Sequence, residues 1–100
     1  MISILKSTVE GGWLFQVSVV EADGSTSEHQ VTLKERDYRR LIAGAEKGKG
    51  GAPPSPERLV EESFRFLLER EPKEAILGRF DLMVISRYFP EYEEEIKRQL

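Results

Sequence analysis

The clearest pattern of apolar and polar positions runs from Ser55 to Leu68, S-P-E-R-L-V-E-E-S-F-R-F-L-L. At 100° per residue its apolar side chains fall on one broad arc, and its charged side chains fill the opposite arc. Ser55 is a favourable N-cap, and Pro56 suits the first helical position. Pro72 cannot continue a helix, so the pattern predicts a core-facing amphipathic helix over about 56–70.

The first third of the chain alternates with a period of two residues, which is typical of strands. This alternation predicts three strands, at about 2–9, 13–20 and 28–33. In the second strand the odd positions form the richer apolar face. The first strand is ambiguous, because its apolar residues fall on both parities: Ile2 and Ile4 on one, Leu5 and Val9 on the other.

The loop between the second and third strands contains Asp23-Gly24-Ser25, which favours a hairpin. A two-residue turn would place apolar positions opposite polar ones. An odd loop, with Gly24 or Ser25 at positive φ, keeps the apolar faces together and opposes Val17 with Val31 and Phe15 with Leu33. Because a one-residue slip turns every side chain to the other face, we expect the odd loop.

Shorter helical patterns flank the main helix. They predict further helices at about 35–47, 73–78, 82–89 and 91–100, with Asp81 as an N-cap. The sequence therefore predicts one α+β domain over residues 1–100. Its fold class is a three-stranded antiparallel meander followed by four or five helices packed on one sheet face.

Composition narrows the class of protein. The 100 residues are 39% hydrophobic and 33% charged, with a net charge of −3 and no cysteine. This composition predicts a globular domain without disulfides or thiolate metal sites. The first ten residues lack the basic and apolar segments of a signal peptide, and nothing approaches a membrane span. We expect a cytoplasmic protein with no membrane partner.

Three patterns invite a chemical interpretation, and each is explained more simply. Gly44-x-x-x-Gly48-Lys49 is one residue too short for a phosphate-binding loop and lacks the following Ser or Thr, so K-G-K-G-G is read as a linker. His29 is the only histidine and is read as a partly buried ring. The acidic run 93–95 is read as a solvated helix face. We therefore predict no catalytic residue, no cofactor and no metal.

The one basic cluster lies in the middle of the chain, where ordinary solvated surface competes with an anion or nucleic-acid contact. Arg36 and Arg40 lie one helical turn apart and repel each other unless an anion or an acidic side chain is near. The full cluster is Arg36, Arg39, Arg40, Lys47 and Lys49.

Two stretches resemble known families. The run from Phe66 to Tyr92, F-L-L-E-R-E-P-K-E-A-I-L-G-R-F-D-L-M-V-I-S-R-Y-F-P-E-Y, resembles a small uncharacterised bacterial α+β family, which implies no activity. The stretch 28–70, with V-T-L-K-E-R-D-Y-R-R-L before the main helix, resembles the ribbon-helix-helix DNA-binding proteins. That resemblance implies a nucleic-acid interface, with groove-reading residues at Gln30, Thr32 and Lys34 beside Arg36, Arg39 and Arg40.

The first expectation for function is a non-enzymatic protein-interaction or regulatory module, binding an unknown protein or a second copy of the chain. Y-F-P-E-Y at 88–92 gathers three aromatic rings around a proline, and not all of them can be buried. The last helix carries a narrow apolar stripe, Tyr92, Ile96 and Leu100, and Phe89 lies at the joint before it. These four residues either close the core or form a partner-binding patch. The alternatives are a nucleic-acid-binding module and an enzyme whose site is not evident in the sequence.

Overall fold

The computed structural model describes residues 1–43 and 52–100. Those residues form an α+β fold with a four-stranded mixed sheet and four α-helices. The end of the helix predicted over 35–47 and the K-G-K-G-G segment lie outside the described residues. The elements in chain order are β1 (Ile2–Val9), β2 (Gly12–Val20), β3 (Thr26–Lys34), α1 (Glu35–Ala43), α2 (Pro56–Leu68), a 3₁₀ turn (Lys73–Ala75), β4 (Arg79–Asp81), α3 (Val84–Tyr88) and α4 (Tyr92–Gln99).

The sheet differs from the predicted meander by one strand. Its order is β1-β2-β3-β4, with the first three strands antiparallel and β4 parallel to β3. The helix predicted over 73–78 is only a 3₁₀ turn, and the residues after it form β4. Asp81, predicted as an N-cap, ends β4; its carboxylate accepts from the Met83 N–H one residue before α3 begins.

The register of the β2–β3 hairpin keeps the predicted faces but not the predicted partners. Phe15 lies opposite Val31 and Val17 opposite His29, a shift of two residues, because the connection is the five residues 21–25. The odd loop and the positive φ of Gly24 (87°) are confirmed. In the loop the Asp23 carboxylate accepts from both the backbone N–H and the hydroxyl of Ser25, which closes the turn.

The ambiguity in β1 is resolved in favour of its even positions. Ile4 pairs with Val17 and packs against the core, whereas Leu5 points to the uncovered face and is 74% exposed. Gly11, with a φ of 79°, makes the tight turn between β1 and β2.

Helix α2 covers the face of the sheet that carries Ile4, Phe15 and Val31, as predicted. The Ser55 hydroxyl accepts from the Arg58 N–H at 3.1 Å, which confirms the N-cap, and the helix ends at Leu68, two residues before the predicted boundary. Its predicted apolar arc is buried against the sheet and α4, apart from Leu68, which is half-buried; the buried members are Leu59, Val60, Ser63, Phe64, Phe66 and Leu67.

Candidate functional site

An apolar groove of about 340 Å³ lies between the segment that leads into β4 and helix α3. Phe80 of β4 lines the groove from the sheet. No described residue of β1, β2 or β3 lines the groove. The groove is therefore bordered by β4, by the segments before and after it, and by the end of α2. Its lining residues are Leu67, Glu71, Ala75, Ile76, Leu77, Phe80, Val84, Ile85, Tyr88 and Phe89.

Two large apolar side chains stand exposed at this groove. Leu77 is 47% exposed and Tyr88 is 68% exposed. Phe89 is half-buried, because its ring packs edge-on against Phe66 with centroids 5.7 Å apart. An isolated exposed apolar residue is ordinary, but two beside one apolar groove make a contiguous surface of the kind that partners cover.

The outer edge of β4 carries backbone groups that have no hydrogen-bond partner among residues 1–43 and 52–100. The Gln30 N–H donates to the Gly78 carbonyl and the Leu82 N–H donates to the Thr32 carbonyl, so the even positions of this segment bond toward β3. Backbone groups alternate sides along a strand, so those of Arg79 and Asp81 face outward. In the described part of the chain no strand lies beyond β4.

His29 holds the entrance to β4 in place. Its Nδ1–H donates to the Leu77 carbonyl at 2.7 Å, and its Nε2 lies 2.7 Å from the Ser27 hydroxyl, with which it shares a hydrogen bond. The ring is buried and tilts against Phe64, with centroids 5.3 Å apart. His29 thus ties β3 to the residue at the rim of the groove, and it is more deeply buried than the predicted partly buried ring.

Lys73 secures the other end of the same segment. Its ammonium is buried and donates to Glu21 at 2.5 Å, to Glu74 at 2.6 Å and to the Ser25 hydroxyl at 2.7 Å. The hydrogen bonds that Lys73 donates to the carboxylates of Glu21 and Glu74 raise the pKa of Lys73 above its ordinary value. All three donors of the ammonium are satisfied, so the 3₁₀ turn is fastened to the β2–β3 loop.

Two of the four residues predicted as a partner-binding patch belong to the core. Tyr92 and Ile96 are fully buried, and only Phe89 and Leu100 keep part of their surface exposed. The Tyr92 hydroxyl lies 2.6 Å from the Ser63 hydroxyl, and burial raises the pKa of Tyr92. The stripe on α4 closes the core because α4 packs across α2, and the exposed aromatic ring of Y-F-P-E-Y is Tyr88 instead.

Two members of the predicted basic cluster, Arg39 and Arg40, are paired with acidic side chains. Arg39 bonds to Glu35 at 3.4 Å, and Arg40 bonds to Glu93 of α4 at 2.5 Å. The bond from Arg40 lowers the pKa of Glu93 below its ordinary value. Arg36 is exposed and has no ion pair among the described residues, while Lys47 and Lys49 lie outside them.

The residues predicted to read a DNA groove lie on the uncovered face of the sheet. Thr32 donates its hydroxyl to the Asp81 carboxylate at 2.8 Å, Gln30 is half-buried, and Lys34 is exposed at the end of β3. In ribbon-helix-helix proteins this strand pairs with a second copy. Here β3 lies between β2 and β4, so both of its edges are occupied.

Of the residues that line the groove, the sequence singles out Tyr88 and Phe89 within Y-F-P-E-Y, but it does not single out Leu77. The sequence places Leu77 and Tyr88 in predicted helices and gives Arg79 no role. A weak local signal is Gly78 before the alternating residues Arg79-Phe80-Asp81-Leu82, a stretch too short to predict a strand by itself.

Neither a protein-family model, nor a curated protein, nor a solved structure matches this chain. Within the described ranges no helix is long and apolar enough to cross a membrane. No group of three or more potential metal ligands comes together in residues 1–43 and 52–100.

Proposed function

We propose that this domain is a non-enzymatic protein-interaction module. Its binding surface is the apolar groove together with the outer edge of β4, which we call the β4 surface. The observation that carries the proposal is the pair of exposed apolar side chains, Leu77 and Tyr88, which lie at a groove lined in part by the edge strand β4.

The chemistry of the β4 surface suits an extended protein segment. A strand that adds to a sheet edge gains backbone hydrogen bonds, and alternate side chains enter pockets beside that edge. Arg79 and Asp81 supply outward backbone donors and acceptors, and the groove next to Phe80 accepts an apolar side chain. Covering the exposed half of Leu77 alone is worth about 1 kcal/mol.

The segment that forms the β4 surface is also held firmly before any partner arrives. Lys73 anchors its start, and His29 anchors the Leu77 carbonyl. A preformed surface loses less conformational entropy on binding than a loose one does.

The alternatives have less support. Two of the three described arginines of the basic cluster are engaged by carboxylates, which lowers the charge available to phosphates. Ser27 and His29 form a hydroxyl–imidazole pair, but neither lines the groove. The pair is explained by its role in holding Leu77.

Affinity capture from a lysate of the source cells tests the proposal. The tagged wild-type domain is compared with the double variant Leu77→Ser/Tyr88→Ser, and Leu5→Ser on the opposite sheet face is the matched control. All three positions are exposed, so each variant should fold. We expect the β4-surface variant to lose partners that the wild type and the control retain. Identical partners for all three proteins, with unchanged self-association, would refute the proposal.

A further inference from the structure

We infer that the β4 surface binds a second copy of the same chain, through antiparallel pairing of β4 with β4 about a two-fold axis at Phe80. This inference rests on the proposed function and names the partner. Two four-stranded sheets would join into one continuous sheet, with the helices of both copies on the same face.

Backbone geometry selects this register. The outward-facing groups belong to Arg79 and Asp81, two residues apart, with Phe80 between them. Pairing about Phe80 places Arg79 of the first copy opposite Asp81 of the second copy. The two-fold axis also places Asp81 of the first copy opposite Arg79 of the second, which gives two equivalent pairs. Residues opposite each other at such positions exchange both backbone hydrogen bonds, so each of the two pairs is fully satisfied.

Side-chain charge selects the same register. Arg79 and Asp81 both project from the uncovered face, because they share a parity along β4. In this dimer each arginine lies directly opposite a carboxylate of the other copy, and opposite charges at facing positions stabilise a sheet. Arg79 is exposed and makes no ion pair among the described residues. The Asp81 carboxylate keeps acceptor capacity beyond its bonds from Thr32 and Met83.

The apolar groove supplies the rest of the interface. A pair of three-residue strands alone falls short of the roughly 1,200–2,000 Å² that specific interfaces bury. The groove is lined by Phe80 and by the segments before and after β4, so a two-fold axis at Phe80 places the grooves of both copies near each other. Leu77 and Tyr88 of each copy then lie at the joint, and their exposed area is covered.

The other free edge of the sheet is protected against the same pairing. Lys6 of β1 projects to the helix-covered face, where its ammonium forms an ion pair with Glu57 of α2 at 3.3 Å. A charge that points inward on an edge strand discourages edge-to-edge association. Of the two edges, β4 is therefore the one that suits a second copy.

Sedimentation equilibrium of the purified chain over a wide concentration range tests the inference. We expect a reversible monomer–dimer equilibrium for the wild type. Arg79→Glu sets like charges opposite each other twice and should raise the dimer Kd at least tenfold, whereas Arg79→Lys keeps the charge and the dimer. Arg36→Glu makes the same charge change on α1 and should leave the Kd unchanged. A wild type that stays monomeric, or equal Kd values for all four proteins, would overturn the inference.

Mixing two charge variants tests the register itself. Chains with Arg79→Glu and chains with Asp81→Lys should each dimerise poorly alone, yet together they place opposite charges in both facing pairs and should form a heterodimer. Failure of the mixture to associate, with both chains folded by thermal melting, would exclude this register. If Asp81→Lys does not fold, the Arg79 series decides alone. A monomeric chain that still captures partners through Leu77 and Tyr88 would remove this inference and keep the proposed function.

Discussion

A buried hydroxyl pair joins the two helices that meet over the core, and its energetics can be worked out from the structure. The Ser63 hydroxyl has one hydrogen, which it donates to the Leu59 carbonyl at 2.7 Å. The Tyr92 hydroxyl, 2.6 Å away, must therefore be the donor to Ser63. Both side chains are fully buried, so neither can turn to water when its partner is removed.

The direction of donation predicts unequal costs for the two single substitutions. Tyr92→Phe removes the donor but leaves Ser63 bonded to Leu59, so the free energy of unfolding should fall by about 0.5–1.5 kcal/mol. Ser63→Ala strands a buried phenol hydroxyl and should cost about 1–3 kcal/mol. The double variant leaves no buried hydroxyl without a partner, and its cost should be smaller than the sum of the single costs by about 1 kcal/mol.

Urea unfolding of the four proteins, followed by circular dichroism, measures this cycle. The reasoning would be refuted if Tyr92→Phe cost more than Ser63→Ala, or if the two costs simply added. The same variants give a pH test, because burial raises the pKa of Tyr92. The unfolded chain then releases the phenol proton first, so stability is lost as pH rises above about 10. Tyr92→Phe should flatten that loss by up to about 1.4 kcal/mol per pH unit.

Four further substitutions probe the packing and the buried ammonium of Lys73. Leu67→Ala should cost about 2–5 kcal/mol through lost burial and a cavity, while Arg65→Ala, on the charged arc of α2, should stay within about 0.5 kcal/mol in the same assay; similar costs for both would mean that the helix faces the wrong way. Gly12→Ala should cost more than about 1 kcal/mol, because the added Cβ would lie 2.1 Å from the Leu33 carbonyl oxygen; an unchanged melting temperature would contradict this. Lys73→Met should lower the free energy of unfolding at pH 7. It should also weaken the fall in stability at alkaline pH, because the raised pKa of Lys73 lets the folded state keep a proton that the unfolded chain releases. Melting curves whose pH dependence matches that of the wild type would contradict this expectation.

The elements that could be predicted from the sequence are those whose signal is local. For helix α2 the N-cap Ser55, the helical period of apolar residues and the stop at Pro72 all lie within residues 55–72. The same period predicts which side of the helix is buried. The parity of β2 against β3 was also predictable, because the alternation of apolar residues fixes which faces meet. Alternation cannot distinguish registers that differ by two residues, so Val17 was paired with Val31 rather than with His29.

What was missed depends on contacts between distant parts of the chain. Strand β4 is three residues long, too short for a period, and it exists because Phe80 and its neighbours pair with β3 about 49 residues earlier. The exposure of Tyr88 and the burial of Tyr92 follow from how α3 and α4 dock. The prediction that not all rings of Y-F-P-E-Y could be buried is confirmed, but their order could not be read from spacing alone.

Neighbouring amides of β3 bond to different strands, so hydrogen exchange at β3 reports separately on its two edges. The amide of Gln30 is bonded to the Gly78 carbonyl, while the amide of the next residue, Val31, faces β2. The hairpins close across a few residues, whereas β4 must close a loop of nearly fifty, which carries a larger entropic cost. In native-state hydrogen exchange the Gln30 amide should therefore exchange faster than that of Val31, its direct neighbour. Two adjacent amides would then time two separate events, the detachment of β4 and the opening of the meander.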